Sequence, residues 1–550
     1  MCGLIGSTKH QITRNTLNSL SHRGPDDRGL LTGFDDRISL GHTRLSILGL
    51  TDGHQPMVAV DGTAAISFNG EIYNYLELKE ALHNEGARLN TESDTEVLLN
   101  YYLIFGLEKT LKDINGMFSF ALYDWVLDSL FLVRDRVGIK PLFYSEEESG
   151  ITFCSEINPI KEILGVNNLS IDPVAVSMFF NTFYIASPNT IWNEIKSIEP
   201  GHYIDYNLQT KELKTKKYWS LAPQKRTNKD LKEFEDLLND SVRLRMRSDV
   251  PFGAYLSGGI DSSLIVKYMS SIAKQRNTYT AEIKDKDLNE KEYANRVAEK
   301  YKTIHTNIEV EYGEIKLSFL RKMARTFGQP FADSSIIPTY LISKKISESV
   351  AVALGGDGSD ENFCGYNKYN YTDKSIQEKF FRNQDLSFLN DKYINNTYNY
   401  MVSKLPYQTE DPQELLRLMD IRFFLEGDIL QKVDRLSMAN SLEVRVPFLD
   451  HRILEYANTL EYDLLFGDLR KEVPKTVLEQ DFDKDFVHRD KIGFMLNVDE
   501  WVHKFDDTIN QSKLLQSDLF RVTFNIENVK NPYLKFAILM FVLWYEENYE

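Results

Sequence analysis

The sequence contains few cysteines and no long apolar run, and these two absences exclude whole classes of protein. The cysteines among its 550 residues are Cys2, Cys154 and Cys364. Three cysteines so far apart form neither a disulfide framework nor a four-cysteine zinc site, so we expect a reducing, cytoplasmic location. The most apolar run, FAILMFVLW, is shorter than the ~20 residues that span a bilayer, and it predicts a buried helix instead. We also see no signal peptide and expect no membrane partner.

Basic residues are scarce relative to acidic ones. The chain has 64 Lys and Arg against 81 Asp and Glu, a formal net charge of −17. This balance argues against a nucleic-acid partner, whose phosphates must be neutralised, although it permits a local basic pocket for a small anion. With 42% hydrophobic and 12% aromatic residues, the chain is expected to fold rather than to stay disordered.

Two patterns of hydrophobic residues divide the chain. Short alternating runs such as AAISFNG and MFSFALYD predict β-rich structure over the first ~200 residues. Helices are predicted at about 75–85 and 94–105, the second capped by Thr91, Ser93 or Asp94. After a charged boundary region at 209–230, strands and helices alternate, which predicts a parallel sheet covered on both faces. From about residue 415 the chain is predicted to be mostly helical.

Cys2 is a candidate nucleophile. A small residue in second position allows Met1 to be removed, which would leave Cys2 with a free α-amine. The ordinary pKa of that amine, ~7.7–8.0, suits a base near neutral pH, so one residue would supply both nucleophile and base. Position alone favours the other interpretation, a buried cysteine in a terminal strand, because any cysteine can stand second.

Polar residues further along the first half suit an amino acid with an amide side chain. Arg44 lies in a predicted strand, Asn69, Gly70 and Glu71 at a strand end, and Asp94 at a helix start. A guanidinium suits the α-carboxylate of such a ligand, and a carboxylate suits its α-ammonium. The Asn69 amide and the Gly70 N–H can hold an oxyanion during acyl transfer. Taken singly, each residue has an ordinary structural explanation.

A loop rich in glycine and serine, SGGIDSS, lies between a predicted strand and helix in the second half. Its glycines permit close backbone approach, and the helix N-terminus offers N–H groups to an anion. The loop lacks the Gly-Lys-Ser/Thr of the usual P-loop, so we expect it to cradle a pyrophosphate. Asp261 would hold Mg²⁺ between phosphate oxygens. The alternative is a simple glycine-rich turn.

Two further stretches are rich in charge. The loop GGDGSDE follows the strand VAVAL and carries Asp357, Asp360 and Glu361. Carboxylates at the C-terminal end of a parallel strand favour a bound cation, and a solvated acidic turn is the alternative. The stretch KVDRLSMANSLEVRVPFLD, taken alone, predicts a solvated charged face. Its charged residues are Lys432, Asp434, Arg435, Glu443, Arg445 and Asp450.

Seven strings in the first half resemble, in order, the class II glutamine amidotransferases, which are N-terminal-nucleophile hydrolases. They are MCGLIG, SHRGPDD, RLSI, FNGEIYN, SDTEVLL, GMFSFALYD and RDRVGIKPL. The resemblance implies an α+β domain of stacked antiparallel sheets over 1–205, which hydrolyses glutamine through a Cys2 thioester and releases ammonia. The glutamine-site and oxyanion positions that it implies are Arg44, Asn69, Gly70, Glu71 and Asp94.

The second half resembles the synthetase domain of glutamine-dependent asparagine synthetases. The resemblance implies an α/β domain of ATP-pyrophosphatase type over 206–550, with a parallel sheet and a helical C-terminal part. ATP would activate aspartate as a β-aspartyl adenylate, and ammonia from the first domain would then attack the acyl group. The small-molecule substrates would be glutamine, ATP and aspartate, with Mg²⁺ as cofactor, and a homodimer is compatible with this family.

The resemblance also assigns residues to the second site. The ATP-binding positions that it implies are Leu256, Ser257, Gly258, Gly259, Asp261, Ser262 and Gly356. Asp261 and Asp360 are the implied Mg²⁺ ligands. Asp357 is implied as the proton acceptor and Lys471 as the group that stabilises the tetrahedral intermediate.

The sequence departs from the family pattern near the acceptor. The family has Ser-Gly-Glu-Gly where this chain has Gly-Gly-Asp-Gly at 355–358, so the Asp357 carboxylate is retracted by about 1.5 Å. A family Lys and Arg four residues apart appear here as Lys471 and Lys475. Asparagine synthesis is the first interpretation. The alternative keeps the glutamine and ATP chemistry but amidates another carboxylate, such as a surface-polysaccharide uronic acid or a peptide precursor.

Overall fold

The structure is a computed structural model. It describes residues 2–33, 37–223, 230–283, 290–310, 315–370, 374–467, 470–489 and 497–549. Its first part contains two stacked antiparallel sheets and its second part a parallel sheet, followed by a largely helical C-terminal part. The predicted fold class is therefore confirmed.

Twelve strands build the first part among the described residues. They are β1 (Gly3–Ser7), β2 (Asp27–Gly33), β3 (Ile38–Arg44), β4 (Met57–Val58), β5 (Ala64–Ile72), β6 (Gly116–Asp124), β7 (Ser129–Arg134), β8 (Phe143–Glu147), β9 (Gly150–Cys154), β10 (Lys196–Ser197), β11 (His202–Asn207) and β12 (Leu213–Lys217). The strand orders are β10-β8-β9-β1-β3-β2 and β12-β11-β7-β6-β5-β4. Leu4 and Leu40 of one sheet pack with Ala121 and Leu132 of the other, so apolar side chains fill the space between the sheets. The predicted boundary at 205 falls within β11, and β12 extends the same sheet to Lys217.

The first four helices of this part lie against these sheets or each other, whereas the fifth packs on two helices of the second part, Thr397–Ser403 and Pro532–Tyr549. In chain order, the helices of the first part are α1 (Arg14–Asn18), α2 (Tyr75–Asn84), α3 (Asp94–Asp113), α4 (Ile157–Leu164) and α5 (Pro173–Thr182). The two predicted helices correspond to α2 and α3. Ser93 is the N-cap of α3, and its side chain accepts a hydrogen bond from the Thr95 N–H. The helix continues beyond the predicted end, past a kink at Gly106.

A five-stranded parallel sheet forms the centre of the second part. Its strands are β13 (Phe252–Tyr255), β14 (Asn277–Ile283), β15 (Ile304–Val310), β16 (Val352–Leu354) and β17 (Glu443–Arg445), in the order β15-β14-β13-β16-β17. The first four correspond to predicted strands. The prediction of mostly helical structure after residue 415 misses β17, because three residues are too few to establish a period.

The remaining helices surround and extend this sheet. They are α6 (Leu231–Arg245), α7 (Ile260–Ile272), α8 (Glu290–Tyr301), α9 (Leu317–Phe327), α10 (Ile336–Ser347), α11 (Ser359–Asn362), α12 (Ile376–Phe380), α13 (Thr397–Ser403), α14 (Pro412–Met419), α15 (Gln431–Met438), α16 (His451–Thr459), α17 (Tyr462–Phe466), α18 (Glu472–Leu478), α19 (Lys484–Val487), α20 (Asp506–Asn510) and α21 (Pro532–Tyr549). A π-helical stretch, Asp420–Leu430, joins α14 to α15.

The apolar run near the C-terminus lies in α21, and the prediction of a buried helix is confirmed. Ile538 to Trp544 are buried, and the helix packs against α9. The Trp544 ring lies 5.4 Å from that of Trp192, which belongs to the first half of the chain. None of the helices in the described part of the chain is long and apolar enough to cross a membrane.

Candidate active sites

Cys2 directly precedes β1, a strand in the interior of its sheet. β1 pairs with β3 on one side and β9 on the other. The Cys2 N–H donates to Oδ1 of Asn69 at 3.1 Å, and its carbonyl accepts from Nε of Arg23 at 2.9 Å. The side chain is buried, and burial raises the pKa of the thiol. A base is therefore needed to generate the nucleophilic thiolate.

Asn69 and Gly70 lie beside Cys2 on β5. The Asn69 side chain is completely buried, and its Nδ2 lies 3.4 Å from Oγ of Ser119. Its carboxamide oxygen accepts from Cys2 and one amide N–H donates to Ser119, so the second amide hydrogen remains for an oxyanion. A Cβ on Gly70 would lie 2.1 Å from the carbonyl oxygen of Met117, so the strand accepts only glycine there.

Arg44, at the end of β3, is buried close to the Cys2 thiol. Its Nη2 donates to the carbonyls of Leu48 and Gly49, both at 2.7 Å. Its positive charge works against the effect of burial on the Cys2 pKa. A guanidinium carries five N–H donors, so these contacts leave others for a ligand carboxylate.

Glu71 and Asp94 are two buried carboxylates that lie close enough to affect each other. Burial raises the pKa of Asp94 to about 6, although its Oδ2 accepts from the Ile72 N–H at 2.9 Å. Burial and the nearby Asp94 charge raise the pKa of Glu71 well above its ordinary value. Nη2 of Arg445, from the second part of the chain, lies 3.4 Å from Oε1 of Glu71. A further cation here would offset the cost of two buried negative charges.

The SGGIDSS loop joins β13 to α7, as the sequence predicts. Oγ of Ser257 accepts from the Gly259 N–H at 3.2 Å and lies 3.1 Å from Oγ of Ser262. Gly258 has a φ of +71°, and a Cβ there would lie 2.6 Å from the Ala294 nitrogen. The buried Leu256 continues the sheet by donating to the Tyr279 carbonyl at 2.8 Å. The glycines therefore fit a tight loop that ends in a helix N-terminus.

The acidic loop after β16 lies directly against the first loop. β13 and β16 are parallel neighbours, and a Cβ on Gly356 would lie 3.1 Å from Cβ of Asp261. Asp360 and Glu361 are buried in the first turn of α11, which excludes a solvated acidic turn for these two residues. Burial and the Asp360 charge raise the pKa of Glu361 to about 7. Asp357 precedes them, at the same edge of the sheet.

Lys471 forms ion pairs with one carboxylate from each of the two loops. Its Nζ lies 2.6 Å from Oδ2 of Asp261 and 2.7 Å from Oδ1 of Asp360. The Lys471 side chain is buried. Its backbone is left-handed, with a φ of +56°, a conformation that costs a non-glycine residue ~1–2 kcal/mol. Such strain is often found at functional sites.

Asp261 and Asp360 are suited to a magnesium ion. Mg²⁺ is usually held in proteins by one or two carboxylates together with substrate phosphates and water. The Lys471 ammonium shows that both carboxylates reach one cation. Within the part of the chain that the structure describes, no group of three or more His, Cys, Asp or Glu side chains is arranged to hold a metal. Further ligands of such an ion would come from a bound molecule or from solvent.

The charged stretch at 432–450 is buried, so the interpretation as a solvated face is wrong. Its charges are tolerated because partners neutralise them, several from the first part of the chain. Arg23 pairs with Asp434, and Nδ2 of Asn115 donates to Oδ2 of Asp450 at 2.9 Å. Sequence reasoning missed these contacts because the partners lie hundreds of residues away. The buried members are Lys432, Asp434, Arg435, Glu443, Arg445 and Asp450.

Comparison with known proteins matches both parts of the chain. A glutamine amidotransferase domain model matches residues 1–219, and an asparagine synthase model matches residues 233–534. Asparagine synthetase (glutamine-hydrolyzing) 1 of Bacillus subtilis is 29% identical over 621 residues, covering 100% of this chain and 97% of that protein. Asparagine synthetase (glutamine-hydrolyzing) 3 of the same organism is 27% identical over 618 residues, covering 99% and 98%.

An amidotransferase domain followed by a synthetase domain defines a glutamine-dependent ligase. The chain belongs to the asparagine synthase family. The resemblance noted in the sequence is thereby confirmed at the level of the family.

Proposed function

We propose that this protein converts aspartate to asparagine, using ATP and ammonia released from glutamine. The observation that carries the proposal is the convergence of Asp261 and Asp360 on the Lys471 ammonium, beside a glycine-rich loop at a helix N-terminus. This arrangement suits a nucleotide that loses pyrophosphate, because it offers N–H donors and cations to the departing phosphates. The names of the relatives favour aspartate as acceptor.

In the proposed glutaminase reaction, Sγ of Cys2 attacks the side-chain carbonyl carbon of glutamine. With Met1 removed, the Cys2 nitrogen that contacts Asn69 becomes an α-amine, which accepts the thiol proton and passes it to the departing ammonia. The Asn69 amide and the Gly70 N–H stabilise the oxyanion. Water then hydrolyses the thioester to give glutamate.

The glutamine would be oriented by the buried charges around Cys2. Arg44 binds its α-carboxylate, and Glu71 with Asp94 binds its α-ammonium. The raised pKa values of Glu71 and Asp94 support this role, because both carboxylates lack sufficient cationic compensation without a ligand.

In the proposed synthetase reaction, a carboxylate oxygen of aspartate attacks the α-phosphorus of ATP, and pyrophosphate leaves. Ammonia then attacks the acyl carbon, AMP departs, and Asp357 accepts the proton that the new nitrogen sheds. Lys471 stabilises the tetrahedral intermediate. The proposed ATP-binding residues are Leu256, Ser257, Gly258, Gly259, Asp261, Ser262 and Gly356. A magnesium ion on Asp261 and Asp360 would supply positive charge to the phosphates.

A second acceptor class shares this chemistry. Asp357 is shorter than the glutamate that the family pattern carries, which leaves room for a larger carboxylate, such as a uronic acid or a peptide precursor. The test is a screen for pyrophosphate release that depends on both glutamine and ATP, with aspartate and glucuronate as matched acceptors. Release with aspartate supports asparagine synthesis, whereas release with glucuronate alone would reject it.

A further inference from the structure

A completely buried arginine links the backbone of Cys2 to the synthetase domain. Nε of Arg23 donates to the Cys2 carbonyl at 2.9 Å. The other two nitrogens of the guanidinium donate to both carboxylate oxygens of Asp434, Nη1 to Oδ2 at 2.9 Å and Nη2 to Oδ1 at 3.2 Å. Such a two-point contact fixes the plane of a guanidinium. The orientation of the donor to Cys2 therefore depends on a carboxylate 411 residues away from Arg23 in the sequence.

The other contacts of Arg23 and of Asp434 do not replace the two-point contact between these two side chains. Glu156 contacts Arg23 through a single nitrogen, Nη1, at 3.2 Å. Nζ of Lys140 lies 3.4 Å from Oδ1 of Asp434, which adds positive charge without touching the Cys2 backbone. Without Asp434, Arg23 would keep one carboxylate contact, to Glu156. It would lose the two hydrogen bonds that fix the plane of its guanidinium.

The helix that carries Asp434 also carries Lys432, which pairs with two other carboxylates. Two residues earlier on α15, Nζ of Lys432 lies 3.4 Å from Oδ2 of Asp333 and 3.6 Å from Oδ1 of Asp428. Asp357 is close enough to affect Lys432 electrostatically. Residues two positions apart point about 200° apart around a helix, so Lys432 and Asp434 serve opposite faces of α15. The helix α15 thus presents Asp434 to Arg23 and Lys432 to other buried carboxylates.

We propose that Asp434 is a positioning residue for glutamine hydrolysis. Through Arg23, it holds the Cys2 backbone so that the thiol meets the glutamine carbonyl, and the synthetase domain thereby completes the glutaminase site. The inference rests on the proposed role of Cys2 as nucleophile. Because a nucleophile displaced by 1 Å can cost about 10²-fold in rate, losing this anchor should affect turnover more than glutamine affinity.

The test is Asp434→Asn in the full chain, since Asn keeps the shape but loses the charge. We expect kcat for glutamine hydrolysis to fall at least ~10-fold, with KM for glutamine changed less than about 2-fold. Ammonia-dependent pyrophosphate release should stay within about 3-fold of wild type, because the variant removes no group proposed to touch ATP or the acceptor. Alkylation of Cys2 by iodoacetamide should slow in parallel with kcat.

A matched control is Glu77→Gln, which breaks another ion pair between the two domains. Oε2 of Glu77 lies 2.6 Å from Nη1 of Arg247, and neither side chain contacts Cys2. We expect both activities of this variant to be unchanged. Wild-type kcat in Asp434→Asn, or an equal loss in Glu77→Gln, would overturn the inference.

If the Asn variant does not fold, Asp434→Glu tests the positioning role of Asp434 instead. It keeps the charge but moves the carboxylate by about 1.5 Å, so kcat for hydrolysis should fall while ammonia-dependent synthesis continues. Unchanged hydrolysis would again reject the inference. The variant Cys2→Ala distinguishes a failure of the positioning role of Asp434 from a failure of the proposed function. If Cys2→Ala still hydrolyses glutamine, the proposed nucleophile is wrong; if it is inactive while both Asp434 variants are normal, only the positioning role fails.

Discussion

Nζ of Lys471 lies 2.6 Å from Oδ2 of Asp261, although 210 residues separate the two in the sequence. Lys471 also contacts Asp360, so one ammonium faces two carboxylates proposed to bind magnesium. If nucleotide phosphates and a divalent cation bind there as proposed, this ammonium would have to share or exchange its partners. Lys471 would therefore respond to the occupancy of the proposed nucleotide site.

Replacing Lys471 by Ala should lower synthesis at least ~10²-fold, as loss of one transition-state donor typically does. Glutamine hydrolysis should change less than about 2-fold, because Lys471 contacts the synthetase loops. Steady-state assays of pyrophosphate and glutamate would measure the two activities. Lys484→Ala, at an exposed position, is the control. Synthesis within 3-fold of wild type in Lys471→Ala would reject its proposed role.

Asp261→Asn should abolish ATP-dependent synthesis and leave glutamine hydrolysis intact. The substitution removes one of the two charges proposed to hold Mg²⁺ against the phosphates. Isothermal titration with Mg²⁺ and a non-hydrolysable ATP analogue should show weaker binding than for wild type. If glutamine hydrolysis were also lost in a protein with normal circular dichroism, the assignment of two separate sites would be contradicted.

Cys2→Ala should eliminate glutamine-dependent synthesis, while free ammonia continues to support it. The thiol is proposed only to release ammonia, and the synthetase loops lie elsewhere. Cys154→Ala, which removes another buried thiol, should retain glutamine use. Intact mass should show that the active chain begins at Cys2; retained Met1 in fully active enzyme would argue against the free-amine mechanism.

Asp94→Asn should stabilise the ligand-free protein near neutral pH but weaken glutamine binding. Burial raises the pKa of Asp94 from 3.8 to about 6, so the folded chain favours the protonated carboxyl and loses stability as pH rises between these values. Asn imitates the protonated form, so Tm should rise at about pH 7.5 and rise less at about pH 5. KM for glutamine should increase at least ~10-fold as a charge-assisted contact disappears.

Asp113→Asn, at the other end of the same helix, is the control for this pair of effects. Its carboxylate pairs with Lys109, so its removal should not raise Tm. An Asp94→Asn protein with normal KM for glutamine would reject Asp94 as a ligand of the α-ammonium. An unchanged Tm would show that the buried charge is compensated in the free protein.

Asp357→Glu tests the acceptor. If aspartate is the substrate, the longer side chain should be tolerated within about 10-fold, because it reproduces the carboxylate of the family pattern. Pyrophosphate release with aspartate would measure this effect, with Asp357→Asn as the matched variant that lacks a proton acceptor. Loss of activity in Asp357→Glu, together with no aspartate-dependent release in wild type, would favour the larger acceptor.

Local sequence patterns predicted most of the fold correctly. The SGGIDSS loop, the strand before it and the helix after it each follow from the order of apolar, glycine and serine residues. The buried helix α21 follows from a continuous apolar run. These features depend on neighbours in the chain, which a periodic pattern records directly.

The sequence could not predict features that depend on distant partners. The three-residue β17 exists because β16 supplies its hydrogen bonds, and the buried Arg445 within it pairs with Glu71 from the first domain. The identity of a charged residue does not show whether its partner is water or another protein group. The contact between Arg23 and Asp434 is hidden for the same reason.

The buried ion pairs between the domains also constrain how this protein changes during evolution. Substituting Asp434 alone leaves Arg23 poorly compensated, and substituting Glu71 alone removes a partner of Arg445. Leaving a buried charge without its partner typically costs about 3–5 kcal/mol, whereas exchanging both members for apolar groups can be neutral. We therefore expect the two residues of each such ion pair to change together among related proteins. A chimera that joins one domain to the other domain of a distant relative would inherit mismatched halves of this interface.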